Sequence, residues 1–187
     1  MIEHGVNSDP TETWKRLESW LQANSPHGIT RLNAPATDDG LAMLEAATGL
    51  TLPMALRVVL KAHDGGSDSN VLGDDFDFLS TTLMAEHWRM HVDVLAYLPP
   101  EALSDEFDPE VMAHCDPGVR PLVANRRWLP FADSNGDVTR YIDFDPALGG
   151  RLGQVIEVDP EATEWRVLAP SFHDFLSDRV RKLEADD

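Results

Sequence analysis

The 187-residue chain has the length of one domain, enough to bury about 70% of the surface that the unfolded chain exposes. Its 42% hydrophobic content is that of a globular protein and not of a disordered one. The formal net charge of −18 argues against nucleic-acid or anionic-membrane partners. We therefore expect a single domain, residues 1–187, with a core at roughly 14–183.

Three helices are predicted in the first third of the chain. The apolar residues of the first helix recur at three- and four-residue spacing: Trp14, Leu17, Trp20 and Leu21. Thr37 is predicted to cap the second helix, and Gly49 is predicted to end it. The third helix is expected to begin with Pro53 near its first position and to end on a glycine cap in the HDGG segment, residues 63–66.

A long helix and an acidic loop are predicted in the middle of the chain. The helix spans 81–98, and its expected buried face consists of Met84, Trp88, His91 or Val92, and Leu95. Residues 99–118, which are rich in Pro, Asp and Glu, are predicted to form an irregular loop.

Short strands separated by turn residues are predicted after residue 118. They lie at 119–124, 127–132, 138–144, 153–158 and 165–169. Pro130 inside the second of them indicates an edge or a bulge. Ser171 and Asp174 are spaced to cap a closing helix. This order predicts an α+β fold, in which a mostly antiparallel β-sheet meander packs against N-terminal helices, a long middle helix and a C-terminal helix.

The segment WLPFADSNGDVTRYIDFDP looks at first like a calcium-binding loop. An EF-hand loop counted from Asp133 requires glycine at its sixth position and glutamate at its twelfth. Those positions are Val138 and Phe144, so both requirements fail. We expect no metal site and no cofactor here.

A hairpin explains the same segment better. Asn135-Gly136 is a strong signal for a two-residue turn, which would pair Asp133 with Val138 and Trp128 with Asp143. Because side chains alternate between the two faces of a strand, the carboxylates would not converge on one ion. In this register the Trp128 indole N–H can donate a hydrogen bond to Asp143.

Catalytic motifs are absent from the sequence. There is no G-x-S-x-G, no S-x-x-K and no glycine-rich phosphate-binding loop. His87 and His91 have a spacing that can hold zinc, but Trp88 stands where the metalloprotease motif has glutamate. One partly buried and one exposed histidine is therefore expected. A hydrolase or metal-binding enzyme that uses Asp and His residues is the least favoured hypothesis, and no catalytic residue is predicted.

Export and disulfide signals are also missing. The opening MIEHGVNSDP has no basic stretch followed by an apolar one, and no apolar run reaches the roughly 18 residues of a spanning helix. Cys115 is the single cysteine, so no disulfide forms within the chain. We expect a cytoplasmic protein.

Negative charge is concentrated in one part of the sequence. Residues 62–119 contain 13 acids and one base, Arg89, and so carry −12 of the −18. Such a field speeds the encounter with a basic protein. A solubilising surface would explain the acidity as well.

Several segments in this order resemble the SUKH superfamily, which comprises the fungal cell-wall-assembly regulator family and many bacterial immunity proteins. The matching segments are WKRLESWLQAN, LAMLEAATGLTLPMALRVVLKAHDGG, FLS, WLPFADSNGD…YIDFDPALGGRLGQVIEV and LAPSFHDFL. Within them, the structural motif residues are Trp128, Asn135, Gly136, Asp143 and Gly153. The resemblance implies an α+β fold and a role without catalysis.

The resemblance implies, first, an immunity protein that neutralises a secreted or contact-dependent bacterial toxin. The alternative is a regulator or scaffold of cell-wall or envelope synthesis. If the toxin is a basic enzyme, acids in two stretches are predicted to bind it: Asp64, Asp68, Asp74, Asp75, Asp77, Glu101, Asp105, Glu106, Asp108 and Glu110. Buried aromatic residues would supply most of the affinity, and the charges mainly rate and specificity. The sequence leaves the oligomeric state open.

Overall fold

The computed structural model describes residues 9–67, 71–73, 75–98 and 112–185. The α+β prediction is confirmed. Six helices lie in these ranges: α1 Pro10–Asn24, α2 Pro26–Ile29, α3 Asp38–Thr48, α4 Met54–Ala62, α5 Thr81–Val94 and α6 Phe172–Ala185. Five strands accompany them: β1 Asp77–Phe78, β2 Trp128–Ser134, β3 Val138–Asp143, β4 Gln154–Asp159 and β5 Glu164–Ala169.

The five strands form one antiparallel sheet in the order β1-β2-β3-β4-β5. Two single bridges continue the sheet beyond β1, from Phe78 to Gly66 and from Gly66 to Leu32. The loop after α4 is thereby tied to the edge of the sheet.

The larger core lies between the helices and one face of the sheet. Trp14, Leu17 and Leu21 of α1 are buried in it, as predicted, and Trp20 packs against it half-buried. From the sheet, Phe131 points into this core and meets the rings of two α6 residues, Phe172 and Phe175, at centroid distances of 5.1 and 5.6 Å.

A smaller core covers the other face of the sheet. Its buried residues are Val119, Trp128, Tyr141, Ile156, Val158 and Trp165. The strand predicted at 119–124 is wrong, because these residues cross this face as an irregular segment. Pro121 has no N–H for a ladder, and the Leu122 carbonyl accepts a hydrogen bond from the Trp165 indole at 2.9 Å.

The helix ends follow the sequence signals at several positions. The Thr37 hydroxyl accepts a hydrogen bond from the Gly40 N–H, and Gly49 adopts a left-handed conformation with φ 68°. Pro53 occupies the N-cap of α4, one residue before the expected position. At α6, the Asp174 N–H donates to the Ser171 hydroxyl at 3.1 Å.

The predicted glycine cap in HDGG is wrong. Helix α4 ends at Ala62, and His63 is extended, with φ −147° and ψ 125°. Its ring lies 2.9 Å from a Glu18 carboxylate oxygen and 2.8 Å from the Asn33 carbonyl, so tertiary contacts hold it. Gly65 instead permits a close approach of backbones: a Cβ built there would lie 2.5 Å from the Ser80 nitrogen.

The β2–β3 hairpin has a three-residue loop and not the predicted two-residue one. Ser134 pairs with Val138, and Asp133 pairs with Thr139. The register then shifts between Pro130 and Ala132, which confirms the expected bulge. The longer loop shifts the pairing by one residue, and the bulge, which places one extra residue on β2, shifts it back. Trp128 therefore faces Asp143 as predicted.

None of the helices in the described ranges has the length and apolar character needed to cross a membrane.

Candidate partner-binding surface

The ten acids predicted to bind a partner divide into three groups. Asp68, Asp74, Glu101, Asp105, Glu106, Asp108 and Glu110 lie outside the described residues. Asp75 and Asp77 are exposed, beside and within β1. Asp64 is half-buried and engaged within the fold. Partner binding by these acids stays a prediction.

Asp64 fixes the start of α5. Its two carboxylate oxygens accept hydrogen bonds from the Thr81 N–H at 2.7 Å and from the Thr81 hydroxyl at 3.0 Å. The Ser80 hydroxyl accepts a further bond from the Leu83 N–H. A carboxylate at a helix N-terminus also interacts favourably with the helix dipole. Asp64 therefore positions the helix that runs through the acidic segment.

Helix α5 buries one side and exposes apolar residues on another. The inward-facing Met84 and Val92 are buried, as predicted. Four large apolar residues along its outer side are exposed by 43%, 55%, 39% and 87%: Leu83, Met90, Val94 and, in the turn that follows, Tyr97. Steps of seven, four and three residues place them in one line along the helix. The sequence did not predict this stripe, because apolar spacing along α5 does not show which apolar residues stay exposed.

Acidic side chains lie along one edge of the stripe, three positions after Leu83 and Met90. Glu86 and Asp93 are exposed on α5 itself, and Arg89 is the single base between residues 62 and 119. We call Leu83, Met90, Val94 and Tyr97, together with Glu86 and Asp93, the α5 face. It combines an apolar stripe with a border of two acids along one edge.

Two histidines attach α5 to the sheet beneath it. The His91 Nδ1 atom lies 3.0 Å from the Tyr141 hydroxyl, and the His87 Nδ1 atom lies 4.0 Å from an Asp133 carboxylate oxygen. Both histidines are half-buried, so the expectation of one exposed histidine is wrong. Burial lowers the pKa of His91, His87 lowers it further, and Asp133 opposes both effects. His91 is therefore neutral near pH 7 and takes part in packing.

Three of the five motif residues, Trp128, Asp143 and Gly153, meet at the end of β2 and β3 away from the hairpin turn, and Asn135 and Gly136 lie exposed in that turn. The Trp128 indole donates to Asp143 at 3.0 Å, which confirms the predicted contact. Asp143 also accepts hydrogen bonds from the Gln154 amide at 2.9 Å and the Asp145 N–H at 2.8 Å. Gly153, with φ 82°, donates its N–H to the Asp143 carbonyl. These residues hold the β3–β4 loop in place.

A second apolar surface lies between helices and the β3–β4 loop. The α3–α4 turn, the β3–β4 loop and the start of α6 enclose a groove of about 450 Å³. Met54 and Leu152 on its border are exposed by 70% and 71%. Among its other lining residues are Leu52, Phe144 and Phe172. Unlike the α5 face, the groove is built outside the acidic segment.

The described ranges give little support to a metal-binding site or a reactive thiol. No group of three or more His, Cys, Asp or Glu residues there could hold an ion. Asp133 accepts hydrogen bonds from the Gly136 N–H and the Thr139 hydroxyl, as a turn residue does. Burial, with a smaller contribution from Asp116, raises the pKa of Cys115 to about 11. The thiol is therefore protonated at neutral pH and weakly nucleophilic.

Comparison with known proteins identifies the family. The model of the SMI1/KNR4 family (SUKH-1) matches residues 35–178, well over half of the chain. The chain belongs to this family. The resemblance inferred from the sequence segments is thereby confirmed. The matched range begins before α3 and ends within α6, so it includes the α5 face, the whole sheet and the hydrogen bonds of Asp143.

Two SMI1/KNR4 relatives of the chain are fungal proteins. The chain is 28% identical to the cell wall biosynthesis/cell cycle regulator smi1 of Schizosaccharomyces pombe over 174 residues, which cover 89% of this chain and 34% of the relative. It is 21% identical to the cell wall assembly regulator SMI1 of Saccharomyces cerevisiae over 207 residues, which cover 95% and 41%. The chain thus spans only about a third to two fifths of their length. Both names describe regulators and neither describes an enzyme.

Proposed function

We propose that this SMI1/KNR4-family chain is a non-catalytic regulatory domain that acts by binding another protein through the α5 face. The observation that carries the proposal is an exposed apolar stripe in the most acidic segment of the chain. Contiguous exposed apolar residues with a polar border are typical of interaction sites. Apolar and aromatic contacts supply most of the affinity at such sites.

The proposed partner presents an apolar strip bordered by Lys or Arg. The negative border of the α5 face would attract a basic surface and repel an acidic one, which sets association rate and specificity. Tyr97, the most exposed of the four apolar residues, is the best candidate for an anchor, because tyrosine combines a large contact area with a polar tip.

The process we propose for this regulation is cell-wall or envelope synthesis. The support comes from the two fungal relatives, whose names describe regulators of cell-wall biosynthesis and assembly. The SUKH resemblance implies this role as the alternative to toxin neutralisation, and the two relatives favour it.

The test is complementation of source cells from which the gene has been deleted. We expect the deletion to raise sensitivity to wall-active compounds and the wild-type gene to restore resistance. The double variant Met90→Glu/Val94→Glu should fail to restore it, because two buried charges in the interface centre cost several kcal/mol. The matched control, Met54→Glu, places the same charge on another exposed methionine and should restore resistance.

If circular dichroism shows that both variants are folded and neither restores resistance, one of two explanations holds. Either the binding site is the groove at Met54, or the added negative charge itself impairs the protein. Full restoration by the α5-face variant would contradict the proposal. A deletion strain with normal sensitivity would reject a role in the cell wall.

A second candidate is the immunity protein inferred from the SUKH resemblance. The observation that favours it is the −12 charge of residues 62–119, which suits inhibition of a basic toxin. In that case the deletion strain would keep a normal envelope but would be killed in co-culture by wild-type kin. The double reversal Asp75→Lys/Asp77→Lys would then slow binding of the purified toxin and weaken its salt dependence. If neither the binding rate nor its salt dependence changed, these acids would not belong to the interface.

A further inference from the structure

The apolar stripe of the α5 face follows a seven-residue repeat. Leu83, Met90 and Tyr97 stand seven residues apart, and Val94 lies between the last two. Seven residues of α-helix span about 10.5 Å and leave two side chains only about 20° out of line. Leu83 and Met90 therefore lie almost directly one above the other on the outer side of α5.

The turn after α5 brings Tyr97 into the same line. The N–H groups of Leu95, Ala96 and Tyr97 donate to carbonyls three residues earlier, at 3.1, 3.1 and 3.0 Å. Such 3₁₀ bonding gives about three residues per turn and about 2 Å of rise per residue, so Tyr97 lies about 6 Å beyond Val94 on the same side. The stripe is thus about 22 Å long, which corresponds to about four turns of helix.

Contacts on the inner side of α5 hold the helix in place. The Trp88 Nε1 atom donates to the Arg126 carbonyl at 3.0 Å, and the His91 Nδ1 atom lies 3.0 Å from the Tyr141 hydroxyl. Asp64 fixes the N-terminus of the helix. The stripe is therefore formed before a partner binds, and binding requires no ordering of α5.

The spacing of the stripe distinguishes a helical partner from an extended one. Side chains on one face of a strand recur about every 6.7 Å, so Leu83 and Met90 would meet such a partner about half a step out of phase. The heptad repeat of an amphipathic helix lying nearly along α5 is about 10.5 Å. Leu83 and Met90 would then meet equivalent positions of that helix. Helices that pack at a small crossing angle make contacts of this kind.

Charged residues along one edge of the stripe have the same repeat. Glu86 and Asp93 are exposed and stand seven residues apart. Arg89, also exposed, lies in the turn between them, so the three side chains together carry a formal charge of −1. Residues 62–119 as a whole carry −12. This edge therefore favours a partner with basic residues beside its apolar ones.

We propose that the partner lays an amphipathic helix of about four turns along the α5 face, with apolar residues in a heptad pattern and two Lys or Arg residues seven positions apart. The two bases would lie beside Glu86 and Asp93. This inference rests on the proposed function, because it takes the α5 face as the binding surface. A second copy of the chain fits less well, since its own acids would face these two.

The test is a titration of the full chain with synthetic peptides of about 18 residues, which span about 27 Å when helical. The helical probe carries Leu in a heptad pattern and two Lys seven positions apart. The alternating probe has the same composition, with Leu at every second position as on one face of a strand. Fluorescence anisotropy gives the Kd, and circular dichroism reports the helix content of the peptide.

We expect the helical probe to bind with a Kd on the order of 100 μM and to gain helix as it binds, because a free peptide of this length is marginally helical. The alternating probe should bind at least about tenfold more weakly. A third probe, in which Glu replaces the two Lys of the helical probe, should also bind about tenfold more weakly, because two attractions become repulsions.

Two double variants of the chain decide whether the binding is local. Met90→Glu/Val94→Glu should weaken binding of the helical probe at least about tenfold. The matched control, Met54→Glu/Leu152→Glu, adds the same two charges at apolar residues exposed by 70% and 71% outside the α5 face. It should change the Kd less than about twofold.

Equal binding of the helical and alternating probes would overturn the helical partner and leave the α5 face as a binding surface. The absence of saturable binding by the helical probe would overturn it too, as would equal weakening by both double variants. Sedimentation velocity should show a monomer. A dimer that Met90→Glu/Val94→Glu dissociates would assign the stripe to a second copy and overturn the proposal. Complementation reports on the proposed function separately, because it fails or succeeds whichever peptide binds.

Discussion

At the residue scale, Asp143 tests how the fold uses a buried acid. Its carboxylate is fully buried and accepts three hydrogen bonds, from Trp128, Asp145 and Gln154. In Asp143→Asn, an amide NH₂ would replace one acceptor oxygen and face a donor. We expect a loss of about 2 kcal/mol in the free energy of unfolding, measured as a lower urea midpoint with an unchanged m-value. Asp137→Asn, in the exposed loop, should change it by less than about 0.5 kcal/mol.

The same residue makes a prediction about pH. Burial raises the pKa of Asp143 above its ordinary value, although its hydrogen bonds oppose the shift. Because the folded pKa exceeds the unfolded value of about 3.9, this group's contribution to stability is fully present below pH ~3.9 and is lost as pH rises through the folded pKa. The stability advantage of the wild type over Asp143→Asn should therefore grow as pH falls from 7 to 4. An advantage that shrinks would mean that the hydrogen bonds depress the pKa.

Residue roles could be predicted where one hairpin determines them and not where distant elements do. The Trp128–Asp143 contact followed from alternation along two paired strands. The contact of Asp64 with Thr81, 17 residues away along the chain, was not predicted. His63 likewise meets Glu18 across the helical layer. No local pattern indicates such pairs, since tertiary packing alone brings them together.

At the scale of elements, the loop after α4 joins helices to the sheet through two adjacent glycines. Gly65 has φ 80°, and a Cβ there would lie 2.5 Å from the Ser80 nitrogen and 2.7 Å from the Phe78 oxygen. Gly65→Ala should therefore lower the free energy of unfolding by more than about 2 kcal/mol. Gly49→Ala is the matched control, because it has φ 68° but no neighbouring atom within 4 Å. It should cost about 1 kcal/mol. If guanidinium unfolding showed equal losses of free energy for the two variants, the positive φ, and not the close contacts, would explain the cost at Gly65.

Elements were predictable where periodicity is strong, as in α1, α3 and β2–β5. The short β1 was missed, because two residues carry no periodic signal. The hairpin loop was predicted one residue too short, since Asn-Gly also fits a longer turn with Asn135 at φ 52° and Gly136 at φ 86°. The α5 face escaped prediction for a different reason. Leu83, Met90 and Val94 widen the apolar side of the helix, and only the packed structure shows which part stays exposed.

At the scale of the whole molecule, a charge of −18 opposes the compact state through self-repulsion. Raising the NaCl concentration from about 0.01 to 0.15 M shortens the Debye length from about 30 to 8 Å. We expect the melting temperature to rise by about 3 °C, equivalent to roughly 1 kcal/mol for a chain of this size. A variant in which four exposed acids become amides, Glu86→Gln, Asp93→Asn, Asp137→Asn and Glu161→Gln, should show a smaller rise.

The same salt should act oppositely on partner binding. Screening removes repulsion within the chain, but it also weakens the attraction of a basic partner to the α5 face, so the association rate should fall while the melting temperature rises. Because Glu86 and Asp93 border that face, the four-acid variant should depend less on salt than the wild type in both measurements. A second variant that keeps Glu86 and Asp93 and changes only Asp137 and Glu161 should show a weaker salt dependence mainly in the melting temperature and not in the association rate.

A melting temperature that falls with salt would mean that ion pairs outweigh repulsion. An association rate that does not change with salt would mean that these acids do not attract the partner.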